Sequence, residues 1–235
     1  MTDNATSSSL ELDEMVDASM RSLERLKYAS MALIVTGTGA VLTNVVVIKT
    51  IAFSKSLHTH CFALMGQLAL ADLLLGASFA LTALKRLLRL YLGWNEVGSQ
   101  MRCCVEMVGP FFGPSASITL ALALAFDRLA AVASPVLYWN HGKFLGPLLG
   151  CLAWLYSIAD GAFMFWGADE TKIVANCYIF TSSSEMFNKF QAIHKPTLLV
   201  VLLGIYALIA LVTFTRIRAA KRRHENVYEA KKRWE

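Results

Sequence analysis

Five apolar runs, each long enough to cross a bilayer, decide what this chain can become. They cover residues 28–53, 61–84, 104–137, 144–167 and 193–215, the third with Asp127 and Arg128 inside it. A hydrocarbon core of about 30 Å takes about 20 mostly apolar helical residues to cross, and a buried soluble helix rarely stays so apolar for so long. Charge agrees: 17% of residues are Asp, Glu, Lys or Arg, against about 25% in soluble domains. The reading is an all-α polytopic transmembrane bundle in three parts. An acidic tail covers 1–27, a five-helix bundle 28–215 and a basic tail 216–235.

Residues 1–27 do not read as a cleaved signal. They carry Asp3, Glu11, Asp13, Glu14, Asp17 and Glu24 and no apolar core, so the first span itself is the expected insertion signal. Asn4-Ala5-Thr6 fits a glycosylation sequon, usable only if Asn4 faces the lumen. Basic residues in short loops favour the cytoplasm. The densest cluster is Arg216, Arg218, Lys221, Arg222, Arg223, Lys231, Lys232 and Arg233. Five crossings from an outside N-terminus deliver that cluster to the cytoplasm, in a multi-pass protein of the plasma membrane. Lys85, Arg86, Arg89 and Arg102, between spans two and three, run against this orientation. The net charge of +5 is largely the C-terminal tail, which suits anionic lipid. No basic groove with interleaved aromatics accompanies it, so nucleic acid is not an expected partner.

Polar groups within spans carry the information, because an ionisable side chain at mid-helix costs about 2.5–3.5 kcal/mol on insertion scales and usually faces the bundle interior. Asn44 lies in the first span, Asp72 in the second, Asp127 and Arg128 close the third, and Trp154 is central in the fourth. Ala69 and Ala71 allow close helix approach beside Asp72, which makes Asn44 an expected hydrogen-bond partner for it. Glu106 and Asp160, in the outer halves of their spans, either line a ligand cavity or are acids paired near the membrane surface. No catalytic constellation, phosphate-cradling loop or zinc spacing is present. His58, His60, His141, His194 and His224 read as polar residues of loops and span ends, and neither a cofactor nor a metal is expected.

These residues, in this order, resemble the class A (rhodopsin-like) G-protein-coupled receptors, and among them the nematode serpentine chemoreceptors of the Srsx type. The matching positions are Asn44 and Val47 in the first helix, and Leu68, Ala69, Ala71 and Asp72 in the second. Asp127-Arg128 match at the end of the third, Pro135 and Tyr138 in the loop that follows, and Trp154 in the fourth. The resemblance covers about residues 28–215. It implies a non-enzymatic receptor for an unknown extracellular ligand, coupled to a heterotrimeric G protein, with receptor oligomers possible. In it Asp127 restrains Arg128 by a charge-assisted hydrogen bond, and Asn44 with Asp72 forms a polar core. It also implies a disulfide from the outer end of helix three, 25 residues before the arginine, which lands on Cys103. Cys177 is its natural partner, with Cys104 an alternative to Cys103. Cys61 and Cys151 read as small packing residues.

The departures are as informative. Thr43 replaces the family's glycine before Asn44, and Leu129 replaces the aromatic after Arg128. Pro110 stands where amine receptors carry an acid, which argues against an aminergic ligand. Pro196 and Tyr206 lie ten residues apart where the family has eight. No apolar run follows Arg216, so the resemblance extends to the first five of seven helices and the expectation is an incomplete receptor that does not signal alone. A competing reading is a non-signalling five-helix subunit or carrier, or a short isoform modulating a full-length receptor. Carriers tend to show internal repeats, which are not seen here.

Overall fold

The computed structural model describes residues 3–54, 60–93, 98–174, 177 and 182–232, with the backbone alone described for 3–23, His60, Leu137 and 223–232. Five long helices form: α1 Asp3–Phe53, α2 His60–Leu92, α3 Gln100–Ala133, α4 Pro135–Met164 and α5 Glu185–Lys232. Within them lie five stretches long and apolar enough to cross a membrane, Glu24–Phe53, Cys61–Leu92, Gln100–Ala133, Tyr138–Met164 and Glu185–Arg222. α1 continues unbroken into the acidic N-terminal region. The sequon falls on that backbone, and the Asn4 side chain lies outside the described residues.

α3 is the axis of the bundle: 33% of its apolar 18-residue stretch is buried, against 6% in the corresponding stretches of α1 and α5. Its buried face is built largely of small residues, Gly113, Ser115, Ala116, Thr119, Ala123 and Ala125, which let neighbours come within backbone contact. A Cβ at Gly113 would lie 2.7 Å from the Leu75 Cα of α2. The α1–α2 crossing is closer still, since a Cβ on Gly37 would sit 2.6 Å from the Gly76 carbonyl oxygen. Leu64, Ala71, Ala116, Leu120, Ala123 and Ala153 join α2, α3 and α4 in one core. The outward surfaces are apolar, with Val35, Leu81, Leu155, Val200 and Leu211 all more than half exposed, as a hydrocarbon solvent requires.

One end is capped covalently. A two-residue strand β1 (Gly98–Ser99) pairs antiparallel with β2 (Ile173–Val174), aligning Gly98 with Val174 and Ser99 with Ile173. Ser99 Oγ then accepts from the Arg102 N–H at 3.3 Å and caps α3. At the other end α3 stops earlier than expected. The apolar run continues to residue 137, but Pro135 disfavours helical geometry in the residue before it, and Ser134 takes φ −138°, ψ 70°. α4 begins at once with Pro135 in its first turn, a position where a missing N–H costs nothing. Tyr138, expected in a loop, is therefore on α4.

Candidate functional site

The residues singled out above fall into three layers along the bundle. At the end away from the disulfide, Asp127 is fully buried and accepts from the Tyr138 hydroxyl at 3.0 and 3.1 Å. Arg128 is exposed and its guanidinium donates to the Cys61 thiol sulfur of α2. The expected Asp127–Arg128 hydrogen bond is thus replaced by two separate contacts. Consecutive helical residues point about 100° apart and do not face each other, so the two meet other groups, and the Cys61 thiol of α2 bonds Asp127 as well as Arg128. Cys61, read as a packing residue, is the neighbour of Arg128. Arg216 of α5 donates to the Ala133 carbonyl at 3.0 Å and brings α5 to the same corner.

In the middle layer Asp72 accepts from Ser117 Oγ of α3 at 2.5 Å. Asn44 donates to Ala40 of its own helix at 2.9 Å. The expected Asn44–Asp72 bond is therefore not the one formed. A half-buried asparagine can satisfy its amide on the i−4 carbonyl without crossing helices. Trp154 stacks on Phe112 with centroids 6.0 Å apart and donates to Gln67 Oε1 at 3.2 Å. Thr119 and Ser157 share a hydrogen bond of 2.9 Å between α3 and α4.

The third layer lies below the disulfide, where Cys103 is bonded to Cys177 with Cα atoms 5.0 Å apart. Cys104, the alternative, is a buried free thiol that donates to the Ser182 carbonyl at 2.7 Å. Glu106 is ringed by cations, with Lys85 Nζ at 2.8 Å, Arg89 at 3.3 Å and Arg102 at 3.8 Å. Arg86 donates to the Cys177 carbonyl at 3.4 Å. The four basic residues that ran against the orientation rule are thus packed around Glu106 and the disulfide. On the covering loop, Thr171 donates from its hydroxyl and backbone N–H and holds the Asp169 carboxyl below the usual range.

Asp160 is 5% exposed and is held from two helices. Lys195 Nζ lies 3.0 Å from Oδ2, Gln191 donates to Oδ1 at 2.6 Å, and Ser115 donates to Oδ2 at 2.5 Å. Lys195 also sits 5.2 Å from the centre of the Phe111 ring. Around it Phe111, Phe163, Phe187 and Phe190 form a chain of aromatic contacts between 5.0 and 5.6 Å. His194, read as a span-end polar residue, stacks on Phe190 at 4.8 Å and meets the Tyr156 hydroxyl. Lys195 is absent from the expectations above, although a charge beside Pro196 in an apolar run was a signal for it. Ser115, Ser117 and Gln191 had no such signal, since uncharged polar residues are common in spans. Among the described residues no three His, Cys, Asp or Glu side chains come together to hold a metal.

Comparison with known proteins identifies the family. The chain is 28% identical over 207 residues to "Dopamine receptor 2" of Caenorhabditis elegans, covering 85% of this chain and 24% of that protein. It is 27% identical over 214 residues to "Trace amine-associated receptor 7e" of Mus musculus, covering 84% and 56%. "Olfactory receptor 5P52" of Mus musculus is 32% identical over 95 residues, 40% of this chain and 29% of that receptor. The chain thus spans between about a quarter and just over half the length of these relatives, all of them receptors rather than enzymes. The family described as 7 transmembrane receptor (rhodopsin family) matches residues 43–235, and the chain belongs to it.

Proposed function

We propose that this chain supplies the first five helices of a plasma-membrane receptor that senses an extracellular small molecule and activates a heterotrimeric G protein. Residues 28–215 form its bundle, with 1–27 outside and the basic 216–235 in the cytoplasm. The observation that carries the reading is the corner at the end of α3. Buried Asp127 is held by Tyr138 while exposed Arg128 is left at the surface beside Cys61. Arg128 is the group that meets the G protein, and Asp127 positions it through the helix. Asp72 and Asn44 form the polar interior that lets α1, α2 and α3 shift between two arrangements. The disulfide layer faces the ligand, with Glu106 and Asp160 in the wall of its cavity.

The ligand class we propose is chemosensory and not an amine, as in the Srsx type. Two relatives are named for dopamine and trace amines. An ammonium ligand needs a carboxylate to meet it, and here Glu106 and Asp160 are already engaged by lysine and arginine, with Pro110 at the position amine receptors give to an acid. The test is nucleotide exchange on co-expressed G proteins by a seven-helix receptor built on residues 1–235. Arg128→Ala should lower exchange at least tenfold at unchanged surface expression. Exchange equal to the parent would overturn the proposal.

A further inference from the structure

Two short stripes of charge meet at the disulfide end. Lys85 and Arg89 lie four residues apart on α2, and Arg102 and Glu106 four apart on α3. Residues at that spacing share one helix face. The Cys103–Cys177 bond and the β1–β2 pair tie down the start of α3, and the two faces meet there. Lys85 Nζ, an Arg89 amino nitrogen and Arg102 Nε converge on one atom, Glu106 Oε1, at 2.8, 3.3 and 3.8 Å.

Three cations on one carboxylate exceed what pairing needs. Arg89 reaches both Glu106 oxygens, at 3.3 and 3.4 Å, and the two side chains are equally sheltered. Lys85 and Arg102 are the surplus. Their side chains are 48% and 69% exposed, and among the described residues no other acid meets them. Asp169 of the covering loop turns to Thr171 instead. Topology gives no reason for the surplus, because basic residues in a short outer loop oppose insertion in this orientation. A lysine and an arginine that reach the same oxygen from two helices also hold N–H groups in solvent close enough to share a second oxyanion. The guanidinium fork matches a carboxylate in shape and charge.

We propose that Lys85 and Arg102 bind the carboxylate of a small, water-borne organic anion, with Glu106 as the internal anion it binds against. The proposal rests on the reading of the disulfide layer as the ligand-facing end, and it names the chemical class of the ligand. With that anion seated, two negative charges face the three cations, so the cluster comes closer to neutrality than it does with Glu106 alone. A ligand ammonium meets the opposite field and is repelled. Glu106 sets the affinity, because it already occupies part of each cation's donor capacity.

The test is saturation-transfer NMR on the purified chain in phosphatidylcholine nanodiscs. Benzoate is the probe, benzamide its neutral counterpart and protein-free discs the blank. Benzoate should give a saturable signal and benzamide none. Lys85→Gln and Arg102→Gln should each weaken benzoate binding about fivefold, the upper end for an exposed ion pair. Glu106→Gln should tighten it, a direction that loss of structure does not produce. Formation of the Cys103–Cys177 bridge checks each variant, and if Glu106→Gln fails to form it, the two exposed cations still decide the matter. Phosphatidylglycerol added to the discs as a minor component should leave the benzoate signal intact. Loss of the signal there would mean that lipid head groups occupy the cations. That result, equal signals from benzoate and benzamide, or benzoate binding unchanged in both cation variants would each overturn the proposal. Arg128-dependent nucleotide exchange is read separately, at the other end of the bundle. Exchange without benzoate binding sinks the anion site alone, and benzoate binding without exchange sinks the receptor reading alone.

Discussion

A buried carboxylate is the most constrained residue in this bundle, and two of them show how partners decide its state. Asp160 is held by Lys195, Gln191 and Ser115. Removing one member of a buried pair leaves an uncompensated charge and typically costs about 3–5 kcal/mol. Lys195→Ala should therefore lower the thermal unfolding midpoint in detergent sharply, while the double change Asp160→Asn with Lys195→Gln should restore most of it. A midpoint in the double variant as low as in Lys195→Ala would show that the pair is not coupled. Asp127 instead accepts from the Tyr138 phenol at 3.0 and 3.1 Å and also bonds the Cys61 thiol. Tyr138→Phe should cost about 1–3 kcal/mol, the loss of one hydrogen bond to a buried charged acceptor, read by the same melting experiment. The positions of Asp72, Asp127 and Asp160 were legible in the sequence because a charge stands out in an apolar run. Their partners were not. Ser117 and Gln191 carry no such contrast, and a sequence does not say which face of a neighbouring helix it presents.

At the scale of elements, the helices were legible from apolar length, but their ends were set by local chemistry that length does not report. α3 stops at Ala133 because Pro135 governs Ser134, although the apolar run continues. α2 extends to Leu92, past the apolar run, because Lys85 and Arg89 reach Glu106 on α3. The α1–α2 crossing rests on Gly37 and Gly76, where any Cβ meets backbone oxygen at 2.6 or 2.7 Å. Gly37→Val should push α1 from α2 and lower surface expression severalfold. Gly39→Val should be neutral, since a Cβ there meets nothing within 4 Å. Equal expression of the two variants, scored by cell-surface labelling, would contradict the crossing.

For the molecule as a whole, the disulfide is a covalent tie between residues 74 apart. Closing a loop of that size is worth about 4 kcal/mol in the chain-entropy account. Cys177→Ser should reduce folded yield, and Cys104→Ser should not. Mass mapping without reductant should find the Cys103–Cys177 bridge and a free Cys104. The opposite end has a different kind of tie. A single residue, Ser134, separates α3 from α4, and the Tyr138–Asp127 bond closes the angle between them. A joint so short has no slack to absorb displacement. The two helices must swing like the arms of a bell crank, so a push on the first turn of α4 is delivered to the foot of α3 with its direction changed and its amplitude kept.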